Sequence, residues 1–308
     1  MAEIAVGEAI TAGFSVIRRQ PAAVLFWGAA QLAFTALIVS VLAPLYIAMF
    51  SEAARAAASG EAPDPLAFQG AAMQMQGLSM LLNLLGAAVG AVVYCAVFRS
   101  VLHPEQSRWG YLRVGSAELY TLVLMVAAYI CVFIAALMLA IPIGIIIAIL
   151  AVAKAAAAAV IFAIIAIGAV IVAAIYVGLR FSLAVPMMVE DGQFHLMESW
   201  ALTKGKTSQL FVIGLATVAL LIAAEIGVLI VMGLLGFAGL AAIVGGMANW
   251  PDFFKQPPRL IFGKLAPLLA VFAVLWVPFA GCAYAIWGAP WAKAYRDLVQ
   301  PDVTGTFS

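Results

Sequence analysis

The chain has 308 residues, of which 67% are hydrophobic and only 9% are charged, and its formal net charge at pH 7 is +1. Soluble domains carry about 25% charged residues, so this composition excludes an ordinary water-soluble globule. The nearly balanced charge also provides no attraction for an acidic polymer, and we therefore expect no nucleic acid as a partner.

Six long stretches carry no charge, or in one case a single charge. They comprise residues 20–51, 65–98, 119–153, 155–179, 207–251 and 265–292, and Glu225 alone interrupts the fifth. A helix rises about 1.5 Å per residue and membrane hydrocarbon is about 30 Å thick, so about 20 apolar residues suffice to cross it. Strands of membrane barrels alternate in polarity, whereas these stretches are continuous. The sequence therefore predicts an all-α polytopic membrane protein with six transmembrane helices.

The distribution of basic residues predicts the orientation. Ten of the fifteen Lys and Arg residues lie in the charged segments on the same side as the N-terminus, and cytoplasmic loops are enriched in such residues. The first loop on the other side holds Glu52, Glu61 and Asp64 against Arg55. We therefore expect a bacterial inner-membrane protein with both termini in the cytoplasm.

Amphipathic segments precede alternate spans. In residues 4–19, Ile10, Phe14 and Ile17 share one helical face, and comparable segments occupy residues 103–117 and 194–206. We predict a threefold repeat of one interfacial helix followed by a helical hairpin. The chain is then a single membrane domain over residues 1–308, with pseudo-repeats 1–102, 103–190 and 191–298 and a short tail at 299–308.

Tryptophan and cationic side chains in these segments suit the headgroup level of a bilayer. The second and third segments share a loose echo, with Trp109 followed by Arg113 and Trp200 followed by Lys204. The predicted interfacial lipid contacts are Arg18, Arg19, Trp109, Arg113, Trp200, Lys204 and Lys206.

Two stretches leave the path of the chain open. The stretch 119–153 is longer than one straight span needs, and we expect a kink at Pro142. Residues 210–247 are also long and rich in glycine. They make either one crossing or a crossing followed by a re-entrant piece.

Three polar residues within the spans are candidate functional residues, because polar groups in hydrocarbon are costly. Glu225 lies near the middle of the fifth span; it either couples protons or cations, or is a protonated acid bonded to a neighbouring helix, which we favour. Arg180, near the cytoplasmic end of the fourth span, either binds a substrate or anchors carbonyls and lipid phosphate, and we favour the anchor. Asn83, like Gln31, is expected to form interhelical hydrogen bonds.

A family resemblance lies in residues 179–192, which include Arg180, Pro186 and the run Glu190-Asp191-Gly192. It continues at Ser199 and at the run Leu202-Thr203-Lys204-Gly205. The chain resembles the membrane domain of some bacterial glycerophosphodiester phosphodiesterases and related standalone bacterial membrane proteins of unassigned function. The resemblance implies a similar membrane topology. In the fused proteins, the activity belongs to a separate soluble barrel with His, Glu and Asp around a divalent metal, which no stretch here forms.

The sequence contains only two histidines, His103 and His195, and no nucleophile, metal or cofactor motif. We expect no enzyme, no catalytic residue, no metal and no cofactor. The favoured function is association with membrane lipid or with a membrane-protein partner. Two alternatives stay open: a small-solute or lipid transporter using Glu225, and a lipid-modifying membrane enzyme using Arg180 to hold phosphate.

Overall fold

The computed structural model of the protein describes residues 3–60, 65–246, 249–250, 253 and 256–299. These residues are mostly helical and include no β-strand, and six helices are long and apolar enough to cross a membrane. The predicted all-α chain with six long apolar helices is therefore confirmed. Glu61, Asp64 of the acidic loop and the tail beyond Val299 lie outside the described residues.

Nine α-helices have their bounds within the described residues, three short and six long. The short ones are α1 (Val6–Arg19), α6 (Ala184–Asp191) and α7 (Leu196–Leu202). The long ones are α2 (Pro21–Ser59), α3 (Pro65–Leu102), α4 (Ser116–Val152), α5 (Ala156–Phe181), α8 (Thr207–Val244) and α9 (Pro258–Val299). α4 continues through Pro142, and α8 continues without a break to Val244, which favours a single crossing over a re-entrant piece.

The three amphipathic segments differ from one another. α1 agrees with the prediction, whereas the helix expected over residues 103–117 is wrong: two 3-10 turns, Pro104–Gln106 and Arg108–Tyr111, take its place. The reason is that Trp109, Gly110 and Tyr111 all have positive φ, which a right-handed helix does not allow. The segment 194–206 is α-helical only at α7. The threefold repeat therefore stays a prediction, without a helix in its second copy.

Burial divides the six-helix bundle into two halves. The terminal half, residues 3–30, 91–121, 179–217 and 280–299, contains α1, α6, α7 and one end of each long helix. Its buried side chains form two adjoining apolar clusters, one around Trp27 and Val97 and the other around Leu183 and Ile213. In the distal half, the rest of the described chain, only Leu82, Ala159 and Phe253 are buried.

α9 is the central helix of the bundle and packs against α1, α2, α3 and α8. It crosses α2 at backbone distance. A β-carbon placed on Gly28 would lie 1.8 Å from the Val277 carbonyl oxygen, and one on Gly281 would lie 2.0 Å from the Val24 carbonyl oxygen. Only glycine fits at these two positions, and the crossing holds the terminal half together.

Polar bonds fasten α1 to the end of α9. Lys293 Nζ lies 3.0 Å from Glu8 Oε2 and 2.6 Å from Asp297 Oδ1, and the Ala5 amide donates to Asp297 Oδ2 at 3.2 Å. Because Gly13 also lies against the backbone of Ile286, the N-terminal helix packs along the final turns of the chain. The two ends of the described chain therefore meet in the terminal half.

Candidate functional site

A buried ion pair lies at the centre of the terminal half. Arg99, at the end of α3, donates to Glu118 in the first turn of α4, and the two residues are 8% and 3% exposed. Arg99 Nη1 also donates to the Tyr111 carbonyl at 3.2 Å. The two opposite charges neutralise each other inside the apolar core, which a lone charge cannot do, while the second carboxylate oxygen of Glu118, Oε2, is buried without a hydrogen-bond partner.

The turn Arg108–Tyr111 covers this ion pair. Tyr111 is almost fully buried and its hydroxyl donates to the Pro104 carbonyl at 2.9 Å, while the buried Trp27 indole donates to the Gly110 carbonyl at 2.8 Å. A left-handed conformation at a non-glycine residue costs about 1–3 kcal/mol. The hydrogen bonds and burial at Tyr111 offset that cost, so the turn is held by the helices around it.

Arg180 is a second buried arginine, in the last turn of α5, and only 5% of it is exposed. Its Cζ lies 4.6 Å from the centroid of the Trp200 ring on α7, and Trp200 in turn packs against Phe181. The hydroxyls of Ser199 and Thr203 both donate to the Arg180 backbone carbonyl at 3.1 Å. These bonds fasten α7 to the end of α5.

The guanidinium of Arg180 has no matching anion. Within the described part of the chain, no carboxylate lies within 4 Å of it, no acceptor takes its hydrogens, and Nε is buried without a partner. A cation over an aromatic ring gains about 0.5–2 kcal/mol, whereas desolvating an ion costs several kcal/mol. Trp200 therefore compensates for only part of the burial of this charge.

An apolar cavity of about 640 Å³ lies between α3, α4, α5, α6, α8 and α9, at the boundary of the terminal half. The residues that surround it are mostly aromatic or aliphatic and include Tyr94, Leu179, Phe181, Ser182, Trp287 and Trp291. No described residue that lines it is charged. The Ser182 hydroxyl donates within its own helix, to the Leu179 carbonyl, so it does not make the wall more polar.

The two histidines lie near the outer surface of the terminal half, each beside two carboxylates. His103 lies 3.3 Å from Glu190 and 3.6 Å from Glu105, and His195 lies 2.5 Å from Asp191 and 3.7 Å from Glu198, in each case between a ring nitrogen and a carboxylate oxygen. No group of three or more metal-ligating side chains occurs among the described residues. The pairs connect α6 to its neighbouring loops.

The three predicted intramembrane residues lie apart. Arg180 is in the terminal half, whereas Glu225 on α8 and Asn83 on α3 are exposed in the distal half, and neither lines the cavity. Nothing in the described chain forms a hydrogen bond to the side chain of Glu225 or Asn83. Gln31 does form an interhelical bond, since it accepts from the Tyr284 hydroxyl at 2.8 Å.

The predicted lipid contacts are mostly exposed, and all lie in the terminal half. Arg18, Arg19, Arg113 and Lys204 are exposed, and Trp109 is 68% exposed. Lys206 and Trp200 are half-buried, and Trp200 packs on Arg180. Trp109 and Trp200 thus have different surroundings, although the sequence suggested that they correspond.

The sequence did not single out Glu118 or the close helix crossing. Glu118 is the last charged residue before the apolar run 119–153, and Arg99 is the first charged residue after the apolar run 65–98. These positions at the ends of two runs were the signal in the sequence that could have identified the pair. Comparison with protein-family models finds no match, and neither curated proteins nor solved structures match the chain. The resemblance to the membrane domain of bacterial glycerophosphodiester phosphodiesterases therefore stays a prediction.

Proposed function

We propose that this chain is a non-enzymatic protein of the bacterial inner membrane, with both termini in the cytoplasm, and that it binds lipid. The observation that carries the proposal is the uncharged cavity of about 640 Å³ between six helices. Ligand sites for small molecules have volumes of about 300–1,000 Å³ and mostly apolar walls, which this cavity matches.

Its place in the bundle favours a lipid tail as the occupant. Ile175 on α5 and Leu215 on α8 both line the cavity and are 44% and 59% exposed, so the wall between these helices is open. In a bilayer this opening faces hydrocarbon, from which an acyl chain enters without crossing water. Tyr94, which lines the cavity, carries a hydroxyl that can donate a hydrogen bond to a lipid carbonyl.

The surface of the terminal half supports the same function. Arg18, Arg19 and Arg113 are exposed there together with Trp109, and such side chains suit an anionic headgroup layer. We place this layer on the cytoplasmic side because the predicted orientation puts both termini there. A lipid bound in the cavity would then belong to the cytoplasmic leaflet.

The transport and enzyme hypotheses have less support. Glu225, on which transport depended, is exposed in the distal half and does not line the cavity. A lipid-modifying enzyme needs ionisable groups at the reacting centre, whereas no charged residue of the described chain lines the cavity. Association with lipid therefore remains the better proposal.

A filled cavity tests the proposal. Gly178 lines the cavity and has open space beside its α-carbon, so Gly178→Leu should occupy part of the volume without a clash. Gly168 on the same helix also has open space but does not line the cavity, which makes Gly168→Leu the matched control. The measurement is the amount of endogenous lipid per protein that survives purification in mild detergent, read by native mass spectrometry.

We expect the parent protein and Gly168→Leu to retain a defined lipid, and Gly178→Leu to lose most of it, about tenfold or more. Equal retention by Gly178→Leu would show that the lipid does not use the cavity. Purification of the parent protein without any defined lipid would also contradict the proposal.

A further inference from the structure

The unpaired guanidinium of Arg180 is the feature of the terminal half that the cavity does not explain. We propose that Arg180 and Trp200 form a site for a phosphate-bearing anion, supplied by the headgroup of a phospholipid. The inference rests on the membrane setting proposed above, but not on the cavity, because Arg180 is not one of the lining residues.

Comparison with Arg99 shows what is missing at Arg180. Both arginines are buried near the ends of long helices, at 8% and 5% exposure. Nineteen residues after Arg99 comes Glu118, which pairs with its guanidinium. Nineteen residues after Arg180 comes Ser199, a hydroxyl that bonds instead to the Arg180 backbone carbonyl. Where the first site has a carboxylate, the second therefore has no negative charge.

The acidic residue next to Ser199 in the sequence does not fill this gap. Glu198 precedes Ser199, but its carboxylate is exposed and lies beside His195 at 3.7 Å. Lys204 and Lys206 follow Thr203 and carry further positive charge in the same connection. A buried charge needs an opposite charge or several hydrogen bonds, and an incoming anion supplies both.

Phosphate chemistry suits the site for two reasons. An arginine fork donates two parallel hydrogen bonds to neighbouring phosphate oxygens, and no acceptor in the described chain takes the hydrogens of the Arg180 guanidinium. Arg180 also lies in the last turn of α5, one residue from the end of the helix. In the proposed orientation this is close to the headgroups of the cytoplasmic leaflet.

The test is the thermal unfolding of the purified full-length protein in a maltoside detergent free of phosphate. Three additions are compared at constant ionic strength: phosphatidylglycerol, diacylglycerol with the same tails, and inorganic phosphate. We expect phosphatidylglycerol to raise the unfolding temperature of the parent protein by about 4 °C or more, because a ligand that binds the native state stabilises it. Diacylglycerol, which lacks the phosphate, should not give this response.

In Arg180→Gln, phosphatidylglycerol should raise the unfolding temperature no more than diacylglycerol does. Arg19→Gln is a change of the same type at an exposed residue, and it should keep the larger effect of phosphatidylglycerol. The variant Gly178→Leu should also keep the larger effect of phosphatidylglycerol. The experiment therefore distinguishes an error in the proposed lipid cavity from an error in the proposed phosphate site. An equal response of the parent protein to inorganic phosphate would support the site and identify free phosphate as the source.

Arg180→Lys provides a test that keeps the charge. An ammonium group cannot donate the two parallel hydrogen bonds that a guanidinium gives to phosphate oxygens, so the stabilisation by phosphatidylglycerol should fall by about half or more. The proposal is overturned if Arg180→Gln responds to phosphatidylglycerol like the parent protein, or if no phosphate compound stabilises the parent protein. If Arg180→Gln does not fold, a parent-like response of Arg180→Lys overturns it.

Discussion

The two halves of the bundle are built on different principles. In the terminal half, side chains from α1, α3, α5, α8 and α9 bury one another in two adjoining clusters. In the distal half, α4 and α5 are exposed on nearly all faces, with Ile, Val and Leu side chains directed outward. The comparison teaches that protein contacts stabilise one end of the helices, while the other end depends on its surroundings, which in a bilayer are lipid tails.

Polar groups follow the same division. Of the two arginines buried in the terminal half, Arg99 is paired with Glu118, whereas Arg180 has the Trp200 ring against it but no carboxylate within the described chain. Glu225 and Asn83 in the distal half are exposed, and their side chains have no hydrogen-bond partner in the described chain. Substitutions of equal chemistry should therefore have unequal effects in the two halves.

The largest effect is expected at the buried ion pair. Glu118→Gln leaves the Arg99 charge buried without its anion, which should lower the free energy of unfolding by about 3–5 kcal/mol. Glu225→Gln makes the same change at an exposed carboxyl without a partner and should alter stability by less than about 0.5 kcal/mol. Both values can be measured by denaturant titration in mixed micelles. Similar losses for the two variants would contradict the division into halves.

A smaller effect is expected at the helix crossing. A methyl group on Gly28 collides with the Val277 carbonyl, so Gly28→Ala should separate α2 from α9 and cost about 1–3 kcal/mol. In the distal half, Gly168→Ala meets open space and should be neutral or stabilising by up to about 1 kcal/mol, since alanine favours the helix. The shift in thermal unfolding temperature shows whether each of the two variants is stabilised or destabilised. A stabilised Gly28→Ala would show that this crossing is looser than described.

Hydropathy predicted the helices well, because the need to match a bilayer acts locally on each run of residues. The six spans, the amphipathic α1 and the interhelical bond of Gln31 could all be expected from the sequence. The turn at Trp109 could not, because its left-handed backbone is held by Trp27, which lies more than 80 residues earlier.

The candidate sites were harder to predict for the same reason. Arg180 could be singled out as a charge near the end of an apolar run, but its lack of an acidic partner depends on which helices surround it. Glu118 was missed because its partner lies across a turn that was expected to be a helix. The cavity is formed by six helices, and no single stretch of sequence carries its pattern.

Photolabelling with a diazirine-bearing phospholipid, followed by peptide mapping, tests the contrast between the halves most directly. In reconstituted membranes, we expect label on all faces of α4 over residues 127–149 and of α5 over residues 160–178, and little on the buried residues 95–97, 99–101 and 288–290, which do not line the cavity. Equal labelling of the two sets, or protection of α4 and α5, would contradict the account that lipid completes the distal half while protein packing holds the terminal half.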